Sequence, residues 1–246
     1  HDFLRRLRSF CDSLKPDFFL LGETLHGDYN QIMNDEMLHS VTNYECYKGL
    51  YSSFNCMNMF EINHSLLRQF GPENWTLYKG KHLLSFVDNH DVTRVASILN
   101  NVNHLPLIYT LAFGMPGIPC VYYGSEWGAT GRKEDGDPAL RVSFDTPIWN
   151  DLTTFISKLA VAKKSSNALN YGSFSSIVLT NEQCIFLRQY NDERVLVAIN
   201  ASEQPYFASF NIGTDTCTDL ISGSEIKLNN GMELPGYSSF ILQPFS

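Results

Sequence analysis

The chain has 246 residues, 43% of them hydrophobic and 18% charged, with a formal net charge of −8 and a sequence pI near 5.3. That length suits one large domain, or a medium one with a small one. The acidic balance, with no basic run longer than Arg5-Arg6 or Lys163-Lys164, argues against a nucleic-acid or anionic-membrane partner, and no apolar run is long enough to span a bilayer.

Phe3, Leu4, Leu7 and Phe10 fall at helical spacing with Arg5, Arg6 and Arg8 between them. The pattern starts at once, without a Met or a cap ahead of it, and reads as a chain cut from a longer one. After Lys15-Pro16-Asp17, the run Phe18-Phe19-Leu20-Leu21-Gly22-Glu23 has the unbroken apolarity of a strand buried on both faces. Ser40 to Tyr44 reads as a weaker strand and Phe60 to Phe70 as a helix closed by Gly71-Pro72. Leu83 to Val87 is a second buried strand. Helices through Val95, Ile98 and Leu99 and from Leu105 to Phe113 follow, then a strand in Gly117 to Gly124. A Gly/Asp-rich loop leads to an amphipathic helix carrying Leu152, Phe155, Ile156, Leu159 and Ala162.

Strands alternating with helices at this interval mean βα units on a parallel sheet, here four of them. Four units form half of an eight-stranded barrel, so residues 1–167 are expected to be the second half of a (β/α)8 barrel. From about Leu169 the pattern changes to short strands at Ile177–Leu179, Cys184–Leu187, Val195–Ile199 and Ser238–Leu242, separated by turn clusters such as Asn191-Asp192-Glu193. Residues 168–246 are therefore expected to form an all-β appendage, a small antiparallel sandwich. The six cysteines have no metal-like spacing, and Cys120 and Cys184 sit in apolar runs. Reduced core thiols in a cytosolic protein are expected rather than a disulfide framework.

Polar residues gather where the buried strands end: Glu23, Asn43, then Asp88, Asn89, His90 and Asp91, then Ser125 and Glu126. In a parallel barrel all these ends open on one face, the face that carries active sites. A single carboxylate there can be a helix cap, and Asp91 stands where it would cap a helix starting at Val92. Three successive strand ends with carboxylates point instead to an acidic pocket. Paired carboxylates suit glycosidic cleavage, which needs a proton donor at the leaving oxygen and negative charge near an oxocarbenium ion.

The segments Leu21 to His26, Phe86 to Arg94 and Gly117 to Gly128 resemble, in order and spacing, the strand-5, strand-7 and strand-8 motifs of the α-amylase family (glycoside hydrolase family 13). Within it the chain is most similar to neopullulanases, cyclomaltodextrinases and maltogenic amylases, and the β tail stands where that family has its C-terminal domain. The resemblance implies Glu23 as general acid/base, Asp91 as transition-state stabiliser and His90 as a ligand of the sugar hydroxyls. It places His26 near the leaving-group side, Asn43 at the strand-6 end within reach of substrate, and Arg94 among the substrate-site residues, packing and pairing below the pocket. Leu25 stands where the subfamily commonly has an aromatic residue, and Ser125 where it has an acid or amide.

The implied activity is retaining cleavage of α-1,4 or α-1,6 glucosidic bonds in starch, maltodextrin, cyclodextrin or pullulan. The alternatives are an α-glucan transglycosylase and a non-catalytic carbohydrate-binding protein using Tyr206, Phe207 and Tyr237. The family's nucleophilic Asp lies upstream of the first helix here, so the chain alone is expected to be inert. No cofactor or metal ligand is expected in it, calcium entering only through the missing upstream region. The expected partner is an α-glucan. The outer edges of the first and last barrel strands, Phe18–Leu21 and Ile118–Tyr123, are expected to need cover from self-association or from the N-terminal half.

Overall fold

The structure, a computed structural model, describes residues 1–245. Its first part runs α1 (Asp2–Leu14), β1 (Leu21–Gly22), β2 (Ser40–Val41), α2 (Tyr44–Asn55), α3 (Met59–Phe70), β3 (Leu84–Phe86), α4 (Val95–Ile98), α5 (His104–Gly114) and β4 (Ile118–Cys120). After a long loop containing the single turn α6 (Asp137–Leu140) come α7 (Asp151–Ser165) and α8 (Asn167–Tyr171).

The four strands are short, parallel and ordered as in the sequence. Leu21 pairs with Ser40 and Leu84 with Ile118, and a single Thr42–Leu84 bridge joins the two pairs. This array is half of an eight-stranded (β/α) barrel, with all four C-terminal strand ends on one side. Helices α2, α3 and α5 pack over it around Leu50, Phe54, Ile62, Leu66, Ile108 and Leu111.

Three expectations need correction. The first strand comprises Leu21–Gly22 rather than Phe18–Leu21, and Phe18, Phe19 and Leu21 are exposed, because β1 pairs only with β2 among the described residues. Tyr44 does not end a strand; it starts α2, which the sequence reading passed over. Cys46, Leu50, Ser53 and Phe54 of that helix are buried at spacings of three and four, but Gly49, Ser52, Ser53 and three tyrosines weaken its helical signal. The helix through Val95, Ile98 and Leu99 is only the single turn Val95–Ile98.

The second part is antiparallel. It comprises β5 (Ser173–Leu179), β6 (Gln183–Tyr190), β7 (Glu193–Asn200), β8 (Tyr206–Ser209), β9 (Thr216–Asp219), β10 (Glu225–Lys227), β11 (Gly231–Leu234) and β12 (Ser238–Pro244). A six-stranded sheet ordered β10-β9-β12-β7-β6-β5 faces the pair β11-β8. Along β7, Val195, Val197 and Ile199 join the core shared with the barrel helices, whereas Leu196 and Ala198 join the core under β8 and β11. Covered on both faces, β7 shows a continuous apolar run despite being antiparallel, with side chains still alternating between faces.

Two buried cations lie near the junction between the parts. Arg188 of β6 reaches across it to donate to Gly114 O at 2.7 Å, and Lys163 of α7, within the first part, donates to Leu169 O at 2.7 Å and Met115 O at 3.4 Å. They meet the free carbonyls at the C-terminal ends of α5 and α8, where positive charge is favoured. Among the described residues, no helix is long and apolar enough to cross a membrane.

Candidate active site

At the end of β1, Gly22 lies against Leu38 and Val41 so closely that an added Cβ would come within 2.5 Å of the Leu38 side chain. Its small size, rather than a special backbone angle, lets the strand end there and present Glu23. At the end of β3 the chain turns on Asn89, whose Oδ1 accepts the Asp91 N–H at 2.8 Å. This Asx turn aims His90 and Asp91 back over the strand ends.

One carboxylate oxygen each from Glu23 and Asp91 and one ring nitrogen of His90 lie within 4.8 Å of one another. A hydrogen-bonded chain links the two strand ends: Asn89 Nδ2 donates to the Tyr44 hydroxyl at 2.8 Å, which donates to Glu23 Oε1 at 3.3 Å. Burial raises the Tyr44 pKa, with the Asn89 hydrogen bond acting against it and the charge of Glu23 adding to the rise. Both oxygens of Asp91 are engaged, Oδ1 by the Arg141 guanidinium at 2.9 Å and Oδ2 by the His90 ring at 3.4 Å. Beside the cluster lies a cavity of about 260 Å³ bounded by Glu23, Asp88, His90, Tyr122 and the inward side chains Leu84 and Phe86.

Asp88 serves a different purpose. It is 1% exposed, and its Oδ2 accepts from Val95 N at 2.8 Å and from the Ser125 hydroxyl at 2.7 Å, tying β3 to α4 and to the turn after β4. Burial raises its pKa, against those two hydrogen bonds and the charge of Arg94.

Of the expected site residues, Glu23, His90 and Asp91 converge. Asn43 and Arg94 do not reach the cavity. Asn43 is buried, caps α2 through Cys46 N, and exchanges hydrogen bonds with the Gln69 amide at 2.9 Å in both directions. Arg94, also buried, donates to Tyr123 O, Ser125 Oγ and Leu140 O, with its guanidinium 4.1 Å from the Tyr122 ring centre. Both side chains are engaged inside the protein, so neither is presented to a sugar; Arg94 instead holds the Tyr122 wall. His26 is exposed on the loop after Glu23, outside the converging group.

The sequence reading missed Asn89 as the turn-former and Arg141 as the partner of Asp91. The Asn-x-Asp spacing carried the first signal. Arg141 sits alone 50 residues downstream of Asp91, in a loop without periodicity, where only the fold brings it back. Glu23, His90 and Asp91 are also the group best placed to meet a divalent cation among the described residues. Arg141 already supplies positive charge to Asp91.

The family model described as "Alpha amylase, catalytic domain" matches residues 1–175, and "Maltogenic Amylase, C-terminal domain" matches residues 177–241. A cyclomaltodextrinase of Thermoanaerobacter pseudethanolicus is 26% identical over 99% of this chain, and a maltogenic alpha-amylase of Bacillus acidopullulyticus is 28% identical over 95%. The chain spans 42% and 41% of the length of these two relatives. The fold superposes on an alpha-amylase of Geobacillus thermoleovorans, solved in complex with acarbose, with a TM-score of 0.83 at 20% identity, over 100% of this chain and 57% of that one. With a catalytic-domain match over most of its length and the motif carboxylates gathered on one barrel face, the chain belongs to the α-amylase family.

Proposed function

We propose that this chain supplies the acid/base side of a site that cleaves α-glucosidic bonds with retention. The convergence of Glu23, His90 and Asp91 at the C-terminal ends of parallel strands carries this reading. Glu23, linked to the Tyr44 hydroxyl and otherwise open to solvent, protonates the departing glycosidic oxygen and then takes a proton from the incoming acceptor. Asp91, fixed by Arg141 and the Asn89 turn, sets its negative charge against the oxocarbenium-like transition state, and His90 holds a hydroxyl of the same sugar. Side chains supply these steps, and the reading requires no cofactor.

Retention also needs a nucleophile about 5 Å from the acid/base. Asp88 is buried and tied to Val95 and Ser125, so it does not serve. The chain is therefore inert in this reading until another barrel half contributes that group, and the substrate is an α-glucan such as maltodextrin, cyclodextrin or pullulan. A second reading makes Asp91 the nucleophile, favoured by carboxylate oxygens of Asp91 and Glu23 lying within 4.8 Å of each other. The engagement of both its oxygens, by Arg141 and His90, favours the stabiliser role. Water or a second sugar serves as acceptor, distinguishing hydrolase from transglycosylase, and adding free maltose while following product lengths separates them. The six free cysteines, three of them buried, fit a reducing, cytoplasmic compartment.

In the full-length enzyme, Glu23→Gln and Asp91→Asn are each expected to lower kcat about a hundred- to ten-thousand-fold with folding intact. An aryl glucoside, whose leaving group needs no protonation, should partly rescue Glu23→Gln and not Asp91→Asn. Near-normal turnover of maltotriose by either variant would refute the role given to that residue.

A further inference from the structure

At the opposite end of the strands, below β3 and β4, a second cavity of about 340 Å³ opens between the barrel and the start of β5. This volume lies at the lower end of the range for small-molecule sites. Its wall carries Lys79, Lys81, His82 and Arg188, with no Asp or Glu among the described residues that line it. In a chain with 26 acidic and 18 basic side chains, this is a local reversal of charge.

The cations are held in place with donors to spare. Lys79 Nζ donates to Pro72 O at 3.0 Å and Lys81 Nζ to Met33 O at 2.6 Å, leaving two N–H on each ammonium. Arg188 is anchored on Gly114 O, Gly172 O and Ser173 O. The His82 ring has no hydrogen-bond partner among the described residues and stands edge-on to the Tyr171 ring at 5.7 Å. Tyr171 itself is 61% exposed. An adjoining cavity of about 220 Å³ shares Lys81 and His82 and adds Arg8, His39 and one carboxylate, Asp35.

We propose that this cavity binds a phosphorylated small molecule, its phosphate against Lys79, Lys81 and His82 and its body on the Tyr171 ring. A phosphate offers only acceptors and is matched by cationic donors. A neutral sugar could use the acceptors of Asn170, Ser173 and Ser175, but it would leave the positive charge of this wall unmatched. Burial, followed by the charges of Lys163 and Arg188, holds the His82 ring below its usual pKa, and Lys163 is lowered to about 7 by burial and Arg188. A phosphate placed among these cations relieves their repulsion, so His82 takes up a proton on binding and affinity rises as pH falls from 8 towards 7, above the second pKa of the ester itself at ~6.

The test is titration of this chain with glucose 6-phosphate, inorganic phosphate and glucose at constant ionic strength, followed by calorimetry and by the His82 ring resonances. The ester is expected to saturate and to bind about tenfold or more tightly than inorganic phosphate, to raise the His82 pKa, and to outbind glucose by a wider margin. Lys79→Gln, at an exposed position, should weaken the ester several-fold without moving the melting temperature, and His82→Gln should remove the proton uptake. Absence of a saturable His82 shift with the ester, binding of glucose as tight as the ester, or unchanged affinity in Lys79→Gln would overturn the proposal. Inorganic phosphate matching the ester would overturn the role of Tyr171.

Discussion

Lys163 shows how a single side chain makes this protein's stability depend on pH. Its ammonium is buried beside Arg188, and its pKa is lowered to about 7. Between about pH 7 and the ordinary lysine value the unfolded chain therefore binds a proton that the folded chain does not, so this group makes the fold more stable as pH rises through that window. The contribution is on the order of 1.4 kcal/mol per pH unit at its steepest. Buried thiols such as Cys46 and Cys184, raised to about 12, act in the opposite direction at the alkaline end. The informative quantity is therefore the difference between wild type and Lys163→Met. Urea unfolding from about pH 7 to 9 should show wild type gaining stability relative to the variant; parallel profiles would mean that Lys163 remains charged in the fold.

Among the elements, Gly117 sets the entry to β4. It has φ of +111°, and an added Cβ would come within 2.5 Å of Leu83 O, a backbone atom that cannot move aside without disturbing β3. Gly117→Ala is expected to cost at least about 2 kcal/mol by denaturant unfolding, whereas Gly27→Ala, on an open loop with no neighbour near its added Cβ, should cost less. Gly117 belongs to one of the motifs by which the parallel strands were legible, since strands covered by helices are written as unbroken apolar runs. Cys184–Leu187 and Val195–Ile199 were legible for a related reason. Strands β8, β9, β10 and β11 were not, because three or four residues carry too little pattern. Helix α2 escaped because its burial depends on tertiary packing and its residues are poor helix formers. At the site, carboxylates and a histidine at strand ends were readable by position. Arg141 was not, because nothing local distinguishes a loop arginine that folds back onto Asp91.

For the whole molecule, the half barrel leaves apolar surface in water. None of the 13 residues of α1 is buried; Phe3 is 73% and Phe10 61% exposed, and Phe18, Phe19, Leu21 and Leu25 continue the exposure in and around β1. Outer edges of parallel strands are templates for pairing, and several large apolar side chains exposed near such an edge add an apolar surface that another chain can cover. Sedimentation at micromolar concentration should therefore show association, and a co-expressed N-terminal barrel half should suppress it. A compact, cooperatively melting monomer would contradict this picture of the edges.

Whether Glu23, His90 and Asp91 act as one sugar-binding corner is tested most directly by titrating the chain with maltotriose while following the ring resonances of His90. A saturable shift is expected at His90, none at His82 beneath the barrel, and loss of the His90 shift in Asp91→Asn. A His90 ring unaffected by maltotriose, with Asp91 intact and the chain folded, would contradict that role.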